Sequence, residues 1–272
     1  MDTWQHALRT TLVDRMLWPA ETAAAITQIA HIVEYEKGAS VFHPGEPTDL
    51  LYLLLSGEAR LYYGTASGER LLVHIVRGGQ ILGFTDFRVK DPHEHDSGQV
   101  FLAEVQSRSR VAIIAAARVA AHLCDLPGPE LVRVVESVES RWAHLCVRLL
   151  TLLTMDVRSR LAYVIHEIAR MFGITDARGK LISIRLSHED FGELVGASRP
   201  MISKHLKELA KAGIFVKEEG RYLLLREDLL KKMLTPGIVS PMPAVVGELL
   251  GKQGREPRRE VLRGTAVSNA RH

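Results

Sequence analysis

Residues 186–210 read LSHEDFGELVGASRPMISKHLKELA, and the interpretation of the whole chain starts from this stretch. Ser187, followed three residues later by Asp190, resembles a capping box and predicts the start of a first helix. Gly196 predicts the end of that helix, because a left-handed conformation costs glycine little. The stretch therefore begins as a helix followed by a tight turn.

A second helix follows the turn, with Ser198 as its predicted N-cap and Pro200 in its first turn, where a missing N–H costs nothing. Ile202, Leu206 and Leu209 share one face and should pack on the core. Basic and hydroxyl groups on the other side suit the major groove of DNA. The candidate DNA-binding residues are Ser187, Ser198, Arg199, Pro200, Ser203, Lys204 and Lys207.

The flanking segments decide between this interpretation and an ordinary helical hairpin with a solvated basic face. Residues 181–187, LISIRLS, alternate as a strand does, and residues 213–225, GIFVKEEGRYLLL, predict two strands around Glu219 and Gly220. A strand, two helices and a hairpin in this order predict a winged helix–turn–helix.

The front of the chain has a different periodicity. Residues 4–34 carry apolar side chains at helical spacing and predict short helices, with a helix entry near Pro19. Residues 35–118 hold short apolar or alternating runs separated by glycines, which predicts many short strands. Such a pattern is typical of a jelly roll or a similar barrel.

Residues 127–156 carry the longest helical pattern, with apolar residues at alternating steps of four and three. A heptad seam of this kind predicts a two-stranded coiled coil and therefore a homodimer, the alternative being a helix buried against its own chain. The predicted seam consists of Leu131, Val135, Val138, Trp142, Leu145, Leu149 and Leu152.

Two resemblances agree with these predictions. LSHEDFGELVGASRPMISKHLKELAKAGIF is similar to the DNA-binding signature of the Crp–Fnr family of bacterial transcription regulators. GASVFHPGEPTDLLYLLLSGEARLYY and GERLLVHIVRGGQILG resemble the cyclic-nucleotide-binding domain of the same family. The resemblance implies a homodimer on near-palindromic double-stranded DNA, with RNA polymerase as a further partner, a base-reading role for Arg199 and dimerisation through the long helix.

The predicted fold class is α+β, with an N-terminal double-stranded β-helix or jelly-roll barrel, a long coiled-coil dimerisation helix and a C-terminal winged helix–turn–helix. The predicted divisions are a sensor at 1–126, the dimerisation helix at 127–156 and the DNA-binding domain at 157–235. Residues 236–272 hold four prolines and a basic excess, and we expect a disordered tail.

Composition limits the class of protein. The 272 residues are 46% hydrophobic and 25% charged, no run is long enough to cross a membrane, and the first residues lack the form of a signal peptide. Two cysteines fit a reducing cytoplasm. From Arg178 onward 18 Lys and Arg stand against 11 Asp and Glu, whereas residues 1–177 hold 17 against 21. The basic excess lies in the half that should bind phosphates.

In the family's cyclic-nucleotide pocket a Gly-Glu pair and an Arg-Ser pair hold the ribose and phosphate. Here the corresponding positions read Gly83-Phe84 and, in a loose alignment, Gln99-Val100, and Cys146 replaces a hydroxyl on the long helix. An anionic phosphate inside a protein needs a cation. The sequence therefore predicts that cyclic AMP does not control this protein.

His93 and His95 could place two imidazoles on one face of a strand, as metal-binding barrels do, or could lie in a polar surface loop. Haem, bound by some sensors of this family, is therefore an alternative effector, and a regulator without an effector is another. The competing class is a metal-binding barrel enzyme with a DNA-binding module. Because no catalytic motif is visible, we predict that the chain is not an enzyme.

Overall fold

The computed structural model describes residues 3–64, 68–83, 85 and 98–234, with only the backbone described for 137–145. The chain opens with α1 (Thr3–Thr10), which continues as a π-helical turn (Thr11–Arg15), and α2 (Ala20–Ile29). The predicted helix entry after Pro19 is confirmed, since Pro19 is the N-cap of α2.

In the described part of the chain, eight strands follow and form two antiparallel four-stranded sheets. Their bounds are β1 (His31–Tyr35), β2 (Ser40–Phe42), β3 (Leu50–Ser56), β4 (Glu58–Gly64), β5 (Arg70–Arg77), β6 (Gln80–Leu82), β7 (Leu102–Val105) and β8 (Ser109–Ala115). The strand orders are β1-β8-β3-β6 and β2-β7-β4-β5. Non-consecutive neighbours in both sheets give the jelly-roll arrangement, which confirms the predicted fold class.

Two apolar layers cover the two faces of the first sheet. Leu54 and Val111 of the first sheet belong to the cluster that also includes Phe42 of the second sheet. Leu8 and Ile26 of the N-terminal helices pack with residues on strands β3 and β8. The N-terminal helices therefore close the outer side of the barrel.

The prediction that helical structure extends to residue 34 is wrong. Residues from His31 onward form β1, where Ile32 pairs with Ala112 and Val33 with Val111. A branched residue fits either structure, and here pairing with β8 outweighs the local helical spacing.

Helix α3 (Ala116–Cys124) leads into α4 (Gly128–Thr154), a helix of 27 residues that confirms the long helix predicted there. Val134 is buried and packs with the N-terminal cluster. The predicted seam residues with described side chains are 39–57% exposed in the single chain, namely Leu131, Val135, Leu149 and Leu152. Of these seam residues none is buried against its own chain.

The C-terminal part forms the unit we call the head, residues 157–234. It contains α5 (Val157–Phe172), β9 (Gly173–Asp176), β10 (Gly179–Ile182), α6 (His188–Val195), α7 (Arg199–Lys211), β11 (Phe215–Glu218), β12 (Arg221–Leu224) and α8 (Glu227–Lys231). Its sheet has the order β11-β12-β10-β9. The two helices of the predicted helix–turn–helix and the following hairpin are confirmed.

One predicted strand is shorter than expected. The alternating run LISIRLS contributes to β10 only as far as Ile182, where the ladder with β9 also ends. Beyond that point the chain turns towards α6, whose N-cap is Ser187. Among the described helices, none combines the length and the apolar character that crossing a membrane requires.

Candidate nucleic-acid interface

The start of α6 is fixed by the predicted capping box. The Asp190 amide donates to Ser187 Oγ at 3.0 Å, and the Ser187 amide donates to Asp190 Oδ2 at 2.7 Å. The helix ends at Gly196, whose φ of 67° lies in the left-handed region. Both predictions are confirmed, and the Ser187 hydroxyl is therefore engaged within the protein.

Helix α7 begins where expected, but its cap differs from the prediction. Ser198 occupies the N-cap position without a capping hydrogen bond from its side chain. An N-cap oxygen usually accepts from the second or third helical N–H, and the second residue here is Pro200, which has none. The Ser198 side chain remains exposed at the entry of α7.

The head has an aromatic core that holds α6 against the hairpin. The Phe215 and Tyr222 rings stack with centroids 4.7 Å apart, and Phe191 meets Tyr222 edge-on at 5.3 Å. The apolar face of α7 is buried beside them, as predicted, through Ile202, Leu206 and Leu209. This packing fixes which side of α7 points away from the protein.

The outward side of α7 carries the predicted DNA-binding residues. Arg199, Pro200, Lys204 and Lys207 are exposed, whereas Ser203 is half-buried. Among the described side chains, no carboxylate forms an ion pair with the three cations. Their charge is therefore available to an anionic ligand, as phosphate binding requires.

One polar contact on this surface was not predicted. The His188 Nδ1 atom, at the first residue of α6, lies 2.7 Å from Ser203 Oγ on α7. Burial lowers the pKa of His188, and the charges of Lys217, Arg199 and Lys207 lower it further. No local spacing signals a contact between residues 15 positions apart on different helices, so the sequence alone could not reveal it.

The hairpin that follows α7 has a tight tip. Glu219 and Gly220 both have positive φ, 48° and 79°, as a two-residue turn of this kind requires. Next to the tip, Arg178 forms ion pairs with Glu218 and Asp176 at 3.0 and 3.3 Å. Arg178 therefore links the end of β9 to the hairpin.

The barrel contacts helix α6 of the head and the residue Arg185 that precedes this helix. Arg60 Nη1 on β4 donates to Asp190 Oδ1 at 2.7 Å, and its Nη2 donates to the Arg185 carbonyl at 3.0 Å. The Leu72 amide of β5 donates to Glu193 Oε2 at 2.6 Å. We call these contacts the barrel–head junction.

The candidate effector residues are only partly brought together. Gly83 has a φ of 64°, and a Cβ there would lie 2.6 Å from Gln99 Oε1 and 2.5 Å from the Phe42 ring. Gln99 is 2% exposed, whereas its neighbour Val100 is 41% exposed. Cys146 is half-buried on α4.

Several predicted residues cannot be placed. Phe84 and the histidine pair His93 and His95 lie outside the described residues, as does the tail 236–272. Side chains of the seam are likewise not described at Val138, Trp142 and Leu145. Within the described ranges, no group of three or more His, Cys, Asp or Glu is arranged to hold a metal ion.

Comparison with known families assigns both halves of the chain. Residues 32–123 match the cyclic nucleotide-binding domain, and residues 159–233 match the Crp-like helix–turn–helix domain. The first match contains the barrel strands, and the second contains α6, α7 and the hairpin.

Similar regulators extend over most of the chain. It is 27% identical over 208 residues to a CRP-like cAMP-activated global transcriptional regulator of Mycobacterium tuberculosis, covering 75% of this chain and 88% of that protein. It is 26% identical over 192 residues to a global nitrogen regulator of Synechococcus elongatus, covering 70% and 83%.

Solved structures share the fold. FixK2 from Bradyrhizobium japonicum superimposes with a TM-score of 0.61 at 17% identity, covering 77% of this chain and 99% of FixK2. The c-di-GMP-responsive global regulator CLP of Xanthomonas campestris gives 0.59 at 20% identity, covering 76% and 99%. With both domain families in order and regulators aligned across them, the chain belongs to the Crp–Fnr family of transcription regulators.

Proposed function

We propose that this regulator acts as a homodimer that binds near-palindromic double-stranded DNA, without control by cyclic AMP. The observation that carries the proposal is that α7 buries its apolar face in the head and exposes its cationic side. Two heads related by a twofold axis would contact half-sites roughly 34 Å apart, one turn of DNA. RNA polymerase is the expected partner at a promoter.

The exposed apolar face of α4 supports the dimer. Leu131 and Leu149 are 40% and 57% exposed, so a partner helix would supply about half of the roughly 1.5–3 kcal/mol gained by fully burying an exposed apolar side chain. In a symmetric dimer each seam residue would be buried in both chains. We assign dimerisation to 127–156, sensing to 1–126 and DNA binding to 157–235.

We assign base reading to the first turns of α7. Arg199 stands at the helix entry, and an arginine can bind guanine O6 and N7 with two hydrogen bonds. The Pro200 side chain has neither a hydrogen-bond donor nor an acceptor, so it can offer a base only an apolar contact. Lys204 and Lys207 supply positive charge along the groove.

Independence from cyclic AMP is supported by the placement of the barrel arginines that the structure describes. The arginines described between residues 31 and 115 are engaged by other parts of the protein or stand at its surface. Arg60 and Arg77 bind the head, Arg70 pairs with Glu104, and Arg108 and Arg110 pair with Glu34. None of these five is placed to neutralise a phosphate inside the barrel.

The test uses the full chain, purified without added nucleotide. Selection from a random duplex library should return a near-palindromic site, and light scattering should give the mass of two chains. Calorimetry with cyclic AMP and cyclic GMP should show no micromolar binding. A gain in DNA affinity that saturates with micromolar cyclic AMP would overturn the effector assignment, and failure to enrich any sequence would overturn the function.

A further inference from the structure

The His188–Ser203 pair lies on the surface to which DNA binding is assigned. An imidazole nitrogen and a hydroxyl at 2.7 Å share one proton in one direction or the other. Which group donates decides what the Ser203 hydroxyl can offer to a ligand. A phosphate oxygen only accepts hydrogen bonds, so it needs a hydroxyl whose proton is free.

In the free protein the surroundings disfavour a charged imidazole. Burial is the largest cause of the lowered pKa of His188, and the charges of Lys217 of β11 and of Arg199 and Lys207 of α7 lower this pKa further. His188 also stands in the first turn of α6, where the positive end of the helix dipole opposes a cation. The nearby Asp190 carboxylate is taken by Arg60 and by the capping box.

In its Nε2–H tautomer, the neutral imidazole accepts the Ser203 proton at Nδ1, and the hydroxyl then has only lone pairs to offer. A protonated imidazole carries N–H groups at both nitrogens, so Nδ1 donates to Ser203 Oγ. The hydroxyl proton is then free to bind an acceptor outside the pair. Protonation of His188 thus changes Ser203 into a donor to its surroundings.

We propose that His188, Ser203 and the cations Lys207 and Lys217 form a DNA phosphate site that takes up a proton when it is filled. The inference rests on the proposed function, because it requires α7 to contact DNA. A phosphate among these cations offsets their charge and favours the imidazolium. The imidazolium donates to Ser203, and Ser203 donates to the phosphate.

The coupling between proton uptake and DNA affinity has a definite sign. Protons bind more tightly in the complex than in the free protein, so DNA affinity rises as the pH falls. The rise occurs between the pKa of His188 in the complex and its lowered pKa in the free protein. At most one proton enters per head, which limits the change to about tenfold per pH unit for each head.

The experiment measures the affinity of the full chain for a 30-base-pair duplex, both of mixed sequence and of the sequence selected from a random library. The pH varies from 6 to 8 at constant ionic strength, because salt alone changes phosphate binding. Calorimetry in two buffers with different ionisation enthalpies counts the protons taken up. The wild-type protein should bind more tightly at pH 6 and take up protons.

His188→Asn can donate to Ser203 without titrating, and should therefore bind DNA with a flat pH profile and no proton uptake. Ser203→Ala should weaken binding more at pH 6 than at pH 8, an asymmetry that a purely structural role would not produce. The matched control is His205→Asn. His205 lies on α7, as Ser203 does, but its Nδ1 atom pairs with Glu208 at 3.0 Å. This control should keep the wild-type profile.

A wild-type protein that binds DNA with a flat profile would overturn the inference and leave the proposed function intact. The same holds if the pH dependence survives in His188→Asn. If the wild-type protein binds neither duplex at any pH, the proposed function fails and the inference fails with it.

Discussion

Arg60 of the barrel and Asp190 of helix α6 stand 130 positions apart, yet the guanidinium donates to the carboxylate at 2.7 Å. The two side chains are only 11% and 18% exposed. The same carboxylate accepts the Ser187 amide in the capping box. One acidic side chain therefore serves both the start of a DNA-binding helix and the contact between the two halves of the chain.

Removing this arginine should loosen α6. Arg60→Ala leaves Asp190 without its cation, and a hydrogen bond to a charged group contributes about 1.5–3 kcal/mol. Amide exchange in α6, measured by mass spectrometry, should accelerate about tenfold or more. Arg70→Ala is the matched control, because Arg70 is 53% exposed and pairs with Glu104 within the barrel. Equal exchange in the two variants would show that the junction contributes nothing to α6.

The seam makes a prediction about mass. Leu149→Lys combined with Leu152→Lys places two charges per chain where a partner helix should bury apolar surface, so light scattering should report monomers. DNA binding should weaken with the loss of the second head. Leu150→Lys, one position outside the heptad register and 48% exposed, should remain dimeric. A double variant with unchanged mass would contradict the assigned seam.

Two cations of α7 should behave differently when truncated. Arg199→Ala should lose about 1–3 kcal/mol and relax the preference for one base in each half-site, because a bidentate contact to guanine is removed. Lys207→Ala should weaken binding to every sequence and make the salt dependence less steep. Selection from a random library separates the two effects, and an unchanged consensus for Arg199→Ala would refute its role.

The end of the head should be sensitive to acid. Glu227 accepts hydrogen bonds from Lys180 of β10 and Lys231 of α8 at 2.8 and 2.9 Å, which lower its pKa from 4.5 to about 2. Since the folded-state pKa is the lower one, these pairs stabilise the fold fully above about pH 4.5. Their contribution disappears as the pH falls towards 2.

Glu227→Gln tests this window. Amide exchange in β10 and α8 should be faster in the variant than in the wild-type protein at pH 6, and the difference should vanish near pH 2. Asp228→Asn is the neighbouring control, because Asp228 is 57% exposed and its ion pair is with the similarly exposed Arg226. A difference that persists at pH 2 would mean that Glu227 stabilises the head by something other than its charge.

Local patterns are sufficient to predict the two helices of the helix–turn–helix and the turn between them. The capping box at Ser187, the left-handed Gly196 and the buried face of α7 each follow from residues a few positions apart. The end of β10 at Ile182 did not follow, because the alternating run continues past the point where its partner strand ends. The helical spacing of Ile32 predicts a helix and carries no information about β8, with which this residue pairs.

Contacts between distant segments could not be predicted. Nothing near Arg60 or Leu72 in the sequence indicates that the barrel meets α6, and nothing near His188 indicates Ser203. The interior of the barrel was predicted only as an altered pocket, and Gly83 and Gln99 are the two residues found side by side there. Such contacts depend on how whole elements are placed, which short-range spacing does not encode.

Strand β5 is the last strand of its sheet, and its Leu72 amide is bound by Glu193 of the head. Leu72 and Ile75 of this strand are buried in the cluster that includes the core of the head. An open sheet edge with apolar side chains invites pairing with another chain. A barrel severed from its head should therefore expose this edge and self-associate.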